Sequence, residues 1–102
     1  MVIRILSEVK NFSTYSDGEV IYNLIVGELI ENRDVTVSFD GIKSVPSAAI
    51  NSAFIRLVEK FRFELIKERL HIVNSTRQIN RLIKDRFAFA TNRDSSEAKP
   101  VD

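Results

Sequence analysis

The chain has 102 residues, 44% apolar and 28% charged, with a net charge of +1 and no cysteine. That length holds one compact core rather than two, and the balance excludes a disordered or fibrous chain. Disulfides, thiolate nucleophiles and thiolate metal sites are excluded by the missing cysteine. The segment VIRILSEVK after Met1 is interrupted by Arg4 and Glu8, so neither a signal-peptide core nor a membrane span is expected, and the cytoplasm is the expected location.

Charge is unevenly spread along the chain. Residues 1–55 carry four basic and seven acidic groups, residues 56–93 carry ten and four, and residues 94–102 carry one and three. Such a basic excess in the C-terminal half either clothes a solvated face or marks a surface for phosphates.

Residues 2–6 (VIRIL) are short, β-branched and apolar. They predict a strand with Ile3 and Ile5 on one face and, given Arg4, a place near a sheet edge. Residues 7–15 hold no sustained period, so a loop is expected there, with Phe12 anchored in the core. Ser16 and Glu19 match a capping box, and Ile21, Leu24, Ile25 and Leu29 recur at spacings of three and four, predicting a helix that Asn32 ends. Gly27 inside it is expected to let a neighbouring backbone approach closely.

Residues 34–39 (DVTVSF) set Val35, Val37 and Phe39 against Thr36 and Ser38, the alternation of a strand with one face in the core. Asp40-Gly41 breaks it, and Pro46 suits the first turn of a helix. Ile50, Ala53, Phe54, Leu57, Val58 and Phe61 then keep a helical spacing without a miss, so one continuous core-facing helix is expected. FELIKER (63–69) fits either a helical turn or a connector, whereas LHIVN (70–74) reads as a strand. Ser75 and Gln78 repeat the capping-box pattern, and Ile79, Leu82, Ile83, Phe87 and Ala90 give the last helix its apolar stripe. Residues 92–102 have too little apolar surface to repay ordering, so a disordered tail is expected after a single domain over residues 1–91.

Alternation of strands and helices predicts an α/β fold, with a largely parallel or mixed sheet of about three or four strands covered by about three helices. Residues 9–15 or 62–66 are the places for a fourth strand.

Little in the chain carries catalytic chemistry. His71 is the only histidine, turned by alternation away from Leu70 and Ile72, and without partners it completes neither a metal site nor a triad. Asp40 ends a strand, where α/β enzymes place carboxylates, but Asp40-Gly41 is the chemistry of a turn. The chain therefore reads as a non-enzyme, with no catalytic residue, metal or cofactor expected. Arg77, Arg81 and Lys84 share one face of the last helix and are the candidate contacts of an alternative, nucleic-acid-binding reading. Ser44 and Ser47 flank a helix start, where unpaired N–H groups and the helix dipole favour an oxygen cap or an anion. Capping is their expected role, and a nucleotide- or anion-binding module at the same place is a third reading.

The run DVTVSFDGIKSVPSAAINSAFIRLVEKF (34–61), followed by LHIVNSTRQINRLIKD (70–85), resembles the STAS-like domain family, relatives of bacterial anti-sigma factor antagonists. In STAS domains a strand ends in a short loop and a serine-containing helix start. The resemblance implies a regulatory domain that docks a protein partner, a histidine-kinase-like ATPase acting as a serine kinase, with phosphorylation at the helix start switching binding off. The family's regulatory segment is an acidic or glycine residue, two adjacent small hydroxyl residues, then a small or apolar one; here stands Pro46-Ser47-Ala48-Ala49. Ser47 matches the first hydroxyl position and is the candidate phosphoacceptor, while Ala48 occupies the usual one, so a docking surface is expected rather than a switch. Its expected members are Ser44, Ser47, Ala48, Asn51, Ser52 and Ile55.

Overall fold

The computed structural model describes residues 1–98, with side chains described through Thr91. In chain order it contains strand β1 (Val2–Arg4), the single turn α1 (Ile5–Glu8), helix α2 (Tyr15–Ile30), strand β2 (Val35–Ser38), helix α3 (Ser47–Ala53), a 3-10 segment (Ile55–Glu59), helix α4 (Phe63–Arg69), strand β3 (Leu70–Val73) and helix α5 (Arg77–Ala98). The α/β architecture is the expected one, but the sheet is wholly parallel, three-stranded and ordered β1-β2-β3. No fourth strand forms in residues 9–15, and most of 62–66 belongs to α4, where straight-chain helix formers surround Phe63 and Ile66 at i, i+3. α5 continues to Ala98, past the expected domain end at residue 91. The remainder of the expected tail, 99–102, lies outside the described residues. Among the described residues no helix is long and apolar enough to cross a membrane.

Register lines up three rows across the sheet. Ile3, Val37 and Ile72 form the middle row and face the helices; Val2, Thr36 and His71 on one side of it, and Arg4, Ser38 and Val73 on the other, face outward. Parallel strands paired in the order the chain makes them, with the right-handed crossovers such connections take, receive both connecting helices on one face. The outer face stays open accordingly: Val2 is 64% exposed and Val73 38%.

The core between this sheet and its helices is built around Phe39, whose ring meets Phe12 edge-on at 5.9 Å and Phe54 at 6.0 Å. Phe12 thus anchors the loop before α2, as expected. Ile21, Ile25 and Leu29 of α2, Ile50, Ala53, Phe54 and Leu57 of the next run, and Ile79, Ile83 and Phe87 of α5 are all buried.

The helix expected over residues 46–61 is split. Regular α structure ends at Ala53, and the Leu57 N–H donates to the Phe54 carbonyl in a tighter, three-residue turn. At three residues per turn Phe54 and Leu57 remain stacked on the core, so the apolar stripe survives the change of winding.

Helix α2 starts two residues earlier than expected. Thr14, not Ser16, is the N-cap, its Oγ1 accepting from the Asp17 N–H, while the Asp17 carboxylate accepts from the N–H groups of Ser13 and Thr14, each at 3.0 Å. At its other end Asn32 takes φ 60°, and the N–H groups of Asn32 and Arg33 return to the carbonyls of Leu29 and Glu28, a Schellman closure. The glycine that matters for packing is Gly18, not Gly27. A Cβ on Gly18 would lie 1.9 Å from Ser52 Oγ and 2.5 Å from the Ala49 carbonyl oxygen, whereas one on Gly27 meets nothing within 4 Å.

Gly18→Ala is therefore expected to destabilise the fold by about 1–3 kcal/mol through overpacking, and Gly27→Ala to stabilise it by about 0.5–1 kcal/mol through helix propensity. Urea unfolding midpoints of the two variants check both signs. A second expectation concerns pH. The N–H groups of Ser13, then of Thr14, hold the Asp17 carboxyl below the usual carboxylate range. A folded-state value depressed in this way gives stability that is complete above the unfolded pKa and is lost as pH falls through the folded one. Asp17→Asn should flatten the acid limb of a melting-temperature profile and lower stability at neutral pH.

Candidate functional site

The candidate surface grows out of the carboxyl end of β2. The Phe39 N–H donates to the Val73 carbonyl at 3.0 Å, prolonging the strand pairing. The chain then reverses with Gly41 at φ 87° and the Ile42 N–H on the Phe39 carbonyl, the geometry of a type II turn with glycine at its third position. Asp40 thus has the turn role, its carboxylate 2.8 Å from Arg4 Nη2. Ser38 Oγ accepts from the Asp40 N–H and from Asn74 Nδ2, fastening the ends of β2 and β3 together.

Beyond the turn the loop is held at two points. Thr76 Oγ1 donates to the Lys43 carbonyl at 3.1 Å, and Val45 is buried. The same Thr76 oxygen accepts from the Ile79 N–H, so Thr76 rather than Ser75 caps α5. Against this loop lies a crevice of about 390 Å³ at the carboxyl ends of β1 and β2, with Lys10, Asn11 and Ser13 on one wall and Gly41, Lys43 and Ser44 on the other.

Pro46 takes the N-cap position of α3, and no side chain caps the helix. The expected capping role of Ser44 and Ser47 is therefore absent. Pro46 has no side-chain acceptor to offer, Ser44 lies two residues before it, and Ser47 is already the first helical residue. Ser44, Ser47 and Ala48 all stand exposed.

The other expected members of the strip divide. Asn51 is half-buried, with Oδ1 accepting from Arg86 Nε at 3.2 Å. Ser52 is fully buried, a correction to its expected exposure: its hydroxyl donates to the Tyr15 carbonyl at 2.8 Å, directly beneath Gly18. Ile55 is half-buried and packs on the core, because the change to 3-10 winding turns it inward.

Elsewhere, His71 is exposed on the outer sheet face with Nε2 3.6 Å from Asp34 Oδ2. Arg69 is the stronger partner of Asp34, at 2.9 Å, and together the two hold that carboxyl below its usual range, Arg69 contributing most. Arg77, Arg81 and Lys84 are exposed on α5, as expected.

Sequence reasoning missed one cluster. Arg56 lies 4.0 Å above the Tyr22 ring, 5.7 Å from the Tyr15 centroid and 3.8 Å from Glu19 Oε2. The available signal was two tyrosines seven residues apart on one helical face; their cationic partner is remote in the chain. Lys10 beside the crevice was missed as well, because nothing local ties residues 10–13 to residues 41–44.

The chain is thus a small α/β domain whose central strand leads into an exposed loop and helix start of small residues. Residues 17–80, from the first turn of α2 to the first turn of α5, match the family described as STAS-like domain of unknown function (DUF4325), and the chain belongs to that family. That membership fits a regulatory or interaction domain. No curated protein and no solved structure matches the chain.

The geometry sets an expectation for two serines five residues apart. Ser47→Ala should change stability by less than about 0.5 kcal/mol, since nothing in the fold uses its hydroxyl. Ser52→Ala should cost about 0.5–1.5 kcal/mol, because it removes the hydrogen bond from a buried hydroxyl to the part-buried Tyr15 carbonyl. Chemical denaturation of both variants checks the contrast.

Proposed function

We propose that the chain is a non-enzymatic interaction domain that docks a protein partner through the loop and helix start within residues 43–55, chiefly Ser44, Ser47, Ala48 and Asn51. The observation that carries the reading is the exposure of Ser44, Ser47 and Ala48 on a loop held from beneath by Val45 and Thr76. Small side chains on a fixed backbone allow a partner's surface to come close, and a loop already ordered loses little entropy on binding. A histidine-kinase-like ATPase is the class of partner the family resemblance supplies. Ser47 is the hydroxyl such a kinase would reach, yet Ala48 stands where the family carries its phosphoacceptor. Docking without a switch is the form of the proposal.

The test is copurification from the native cell with mass spectrometry of what is bound, followed by affinity measurements on the identified partner. Ala48→Glu should weaken binding by about tenfold or more, since a carboxylate pressed into a tight contact loses water without gaining a partner. The same carboxylate in the first turn of α3 sits favourably with the helix dipole and should leave the melting temperature unchanged. Unchanged affinity would remove the docking site from this surface. Stoichiometric phosphate on Ser47 after incubation with the partner and ATP, with binding abolished, would replace docking alone by a phosphorylation switch.

A further inference from the structure

Lys84, the last residue of the basic stripe of α5, stands on one wall of an apolar groove. Two adjoining hollows of about 390 and 310 Å³ share Phe63, Lys67 and Phe87; the first extends along α5 past Lys84 to Thr91, the second reaches Leu70 and Ile72 of β3. Phe63 and Phe87 make the floor, with ring centroids 5.4 Å apart. Lys67 Nζ lies 5.5 Å from the Phe63 centroid. Among the described residues neither Lys67 nor Lys84 has a carboxylate within ion-pair distance. The strand that borders the groove is an edge, paired on one side only, to β2.

We propose that this groove receives an acidic, apolar segment of a partner protein, added as an extended strand along the open edge of β3. On the strand face turned toward the helices, apolar side chains rest on Phe63 and Phe87, and carboxylates at further positions of that same face meet Lys67 and Lys84. The surface shares no residue with the α3 docking strip, so the inference stands or falls apart from it.

Three features select this occupant. An open strand edge offers main-chain donors and acceptors, and an added strand turns every second side chain to the same face, here the helix side with its apolar floor. The rim is cationic, with Lys67 and Lys84 at the groove and Arg81 and Arg77 continuing the stripe, so charge complementarity calls for carboxylates. A second copy of this chain would set that rim against itself. Nucleic acid is disfavoured because Phe87 is buried and Phe63 half-buried in the floor, not raised as stacking platforms, and Asp85 adjoins Lys84. A free anionic lipid would leave most of its chain wet in so open a groove.

The probe is a fluorescein-labelled peptide whose alternate, helix-facing positions carry leucine at the centre and glutamate at the ends, with threonine between them, titrated by fluorescence polarisation against the full chain, with amide chemical shifts followed by NMR. Saturable binding is expected, with shifts concentrated in Leu70–Val73 and along the groove face of α5. The double variant Lys67→Glu, Lys84→Glu should bind about tenfold or more weakly and should prefer the peptide in which lysine replaces glutamate. Ala88→Glu, an exposed change on the groove wall, should weaken binding of the acidic peptide without loss of fold by circular dichroism. Absent binding, indifference to the charge reversal, equal binding of a peptide with the same composition in scrambled order, or shifts confined to residues 43–51 would each overturn the proposal. Displacement of the peptide by an oligonucleotide with a steep salt dependence would overturn it too, and would give the stripe to nucleic acid.

Discussion

Strand order equal to chain order is the constraint from which the rest of this molecule follows. A parallel pair needs a crossover, and successive right-handed crossovers between strands added on the same side return over the same face. Helices α2, α3 and α4 therefore share one side of the sheet, and each must settle against its neighbours as well as against the strands. This crowding is visible where α2 meets α3, Gly18 lying so close over Ala49 and Ser52 that a Cβ has no room. β2, paired on both edges, has Val35, Val37 and Ser38 buried, whereas the edge strands β1 and β3 keep exposed side chains. The carboxyl ends of the strands and the outer edge of β3 are left open, and these are the places where the candidate surfaces lie.

Much of this was legible from periodicity, because burial is imposed on whole stripes. Ile21, Ile25 and Leu29, or Ile79, Ile83 and Phe87, declare a face even when the identity of the neighbour is unknown. Single contacts were not legible. Ser52 is a small polar residue on the apparent polar arc of its helix, and only the position of Gly18, thirty-odd residues earlier, makes that arc an interface. Ser16 with Glu19 fits the capping-box pattern, yet the box that closes is Thr14 with Asp17, where aspartate stands in for the usual Glu or Gln. Which one closes depends on where the chain leaves the core at Phe12, a tertiary fact. Ile55 was assigned to the surface by a helical wheel that the 3-10 segment does not obey.

Charge in the molecule follows the same geometry. The acidic groups of the N-terminal half are largely spent in local work: Asp17 in the cap, Glu28 on Arg33, Asp34 on Arg69, Asp40 on Arg4 and Glu19 near Arg56. Each pair is exposed on at least one side, so each adds little to stability. Their positions matter more: Arg69 to Asp34 spans the starts of β3 and β2, and Arg4 to Asp40 joins the end of β1 to the turn after β2. Arg56 and Arg69 are answered by acids from the first half of the chain, whereas Lys67, Arg77, Arg81 and Lys84 have no such answer among the described residues. The uneven charge of the sequence thus becomes a local surplus along α5 and α4, beside a groove whose floor is aromatic.

The two surfaces differ in the kind of affinity they offer. The loop and helix start present Ser44, Ser47 and Ala48, side chains with little apolar area, so contact there gains by shape and by lost water more than by burial. The groove presents aromatic area and uncompensated positive charge, which favour attraction at a distance and tolerate sequence variation in what binds. A partner whose folded part meets the loop and whose acidic segment reaches the groove makes the second contact intramolecularly, at an effective concentration set by the intervening chain. Helix α5 sits at both places, with Arg86 bonded to Asn51 of the docking strip and Lys84 and Ala88 on the groove wall. Its rigid rise fixes the distance such a connecting chain must span, so geometry at α5 decides whether the two contacts reinforce one another or compete.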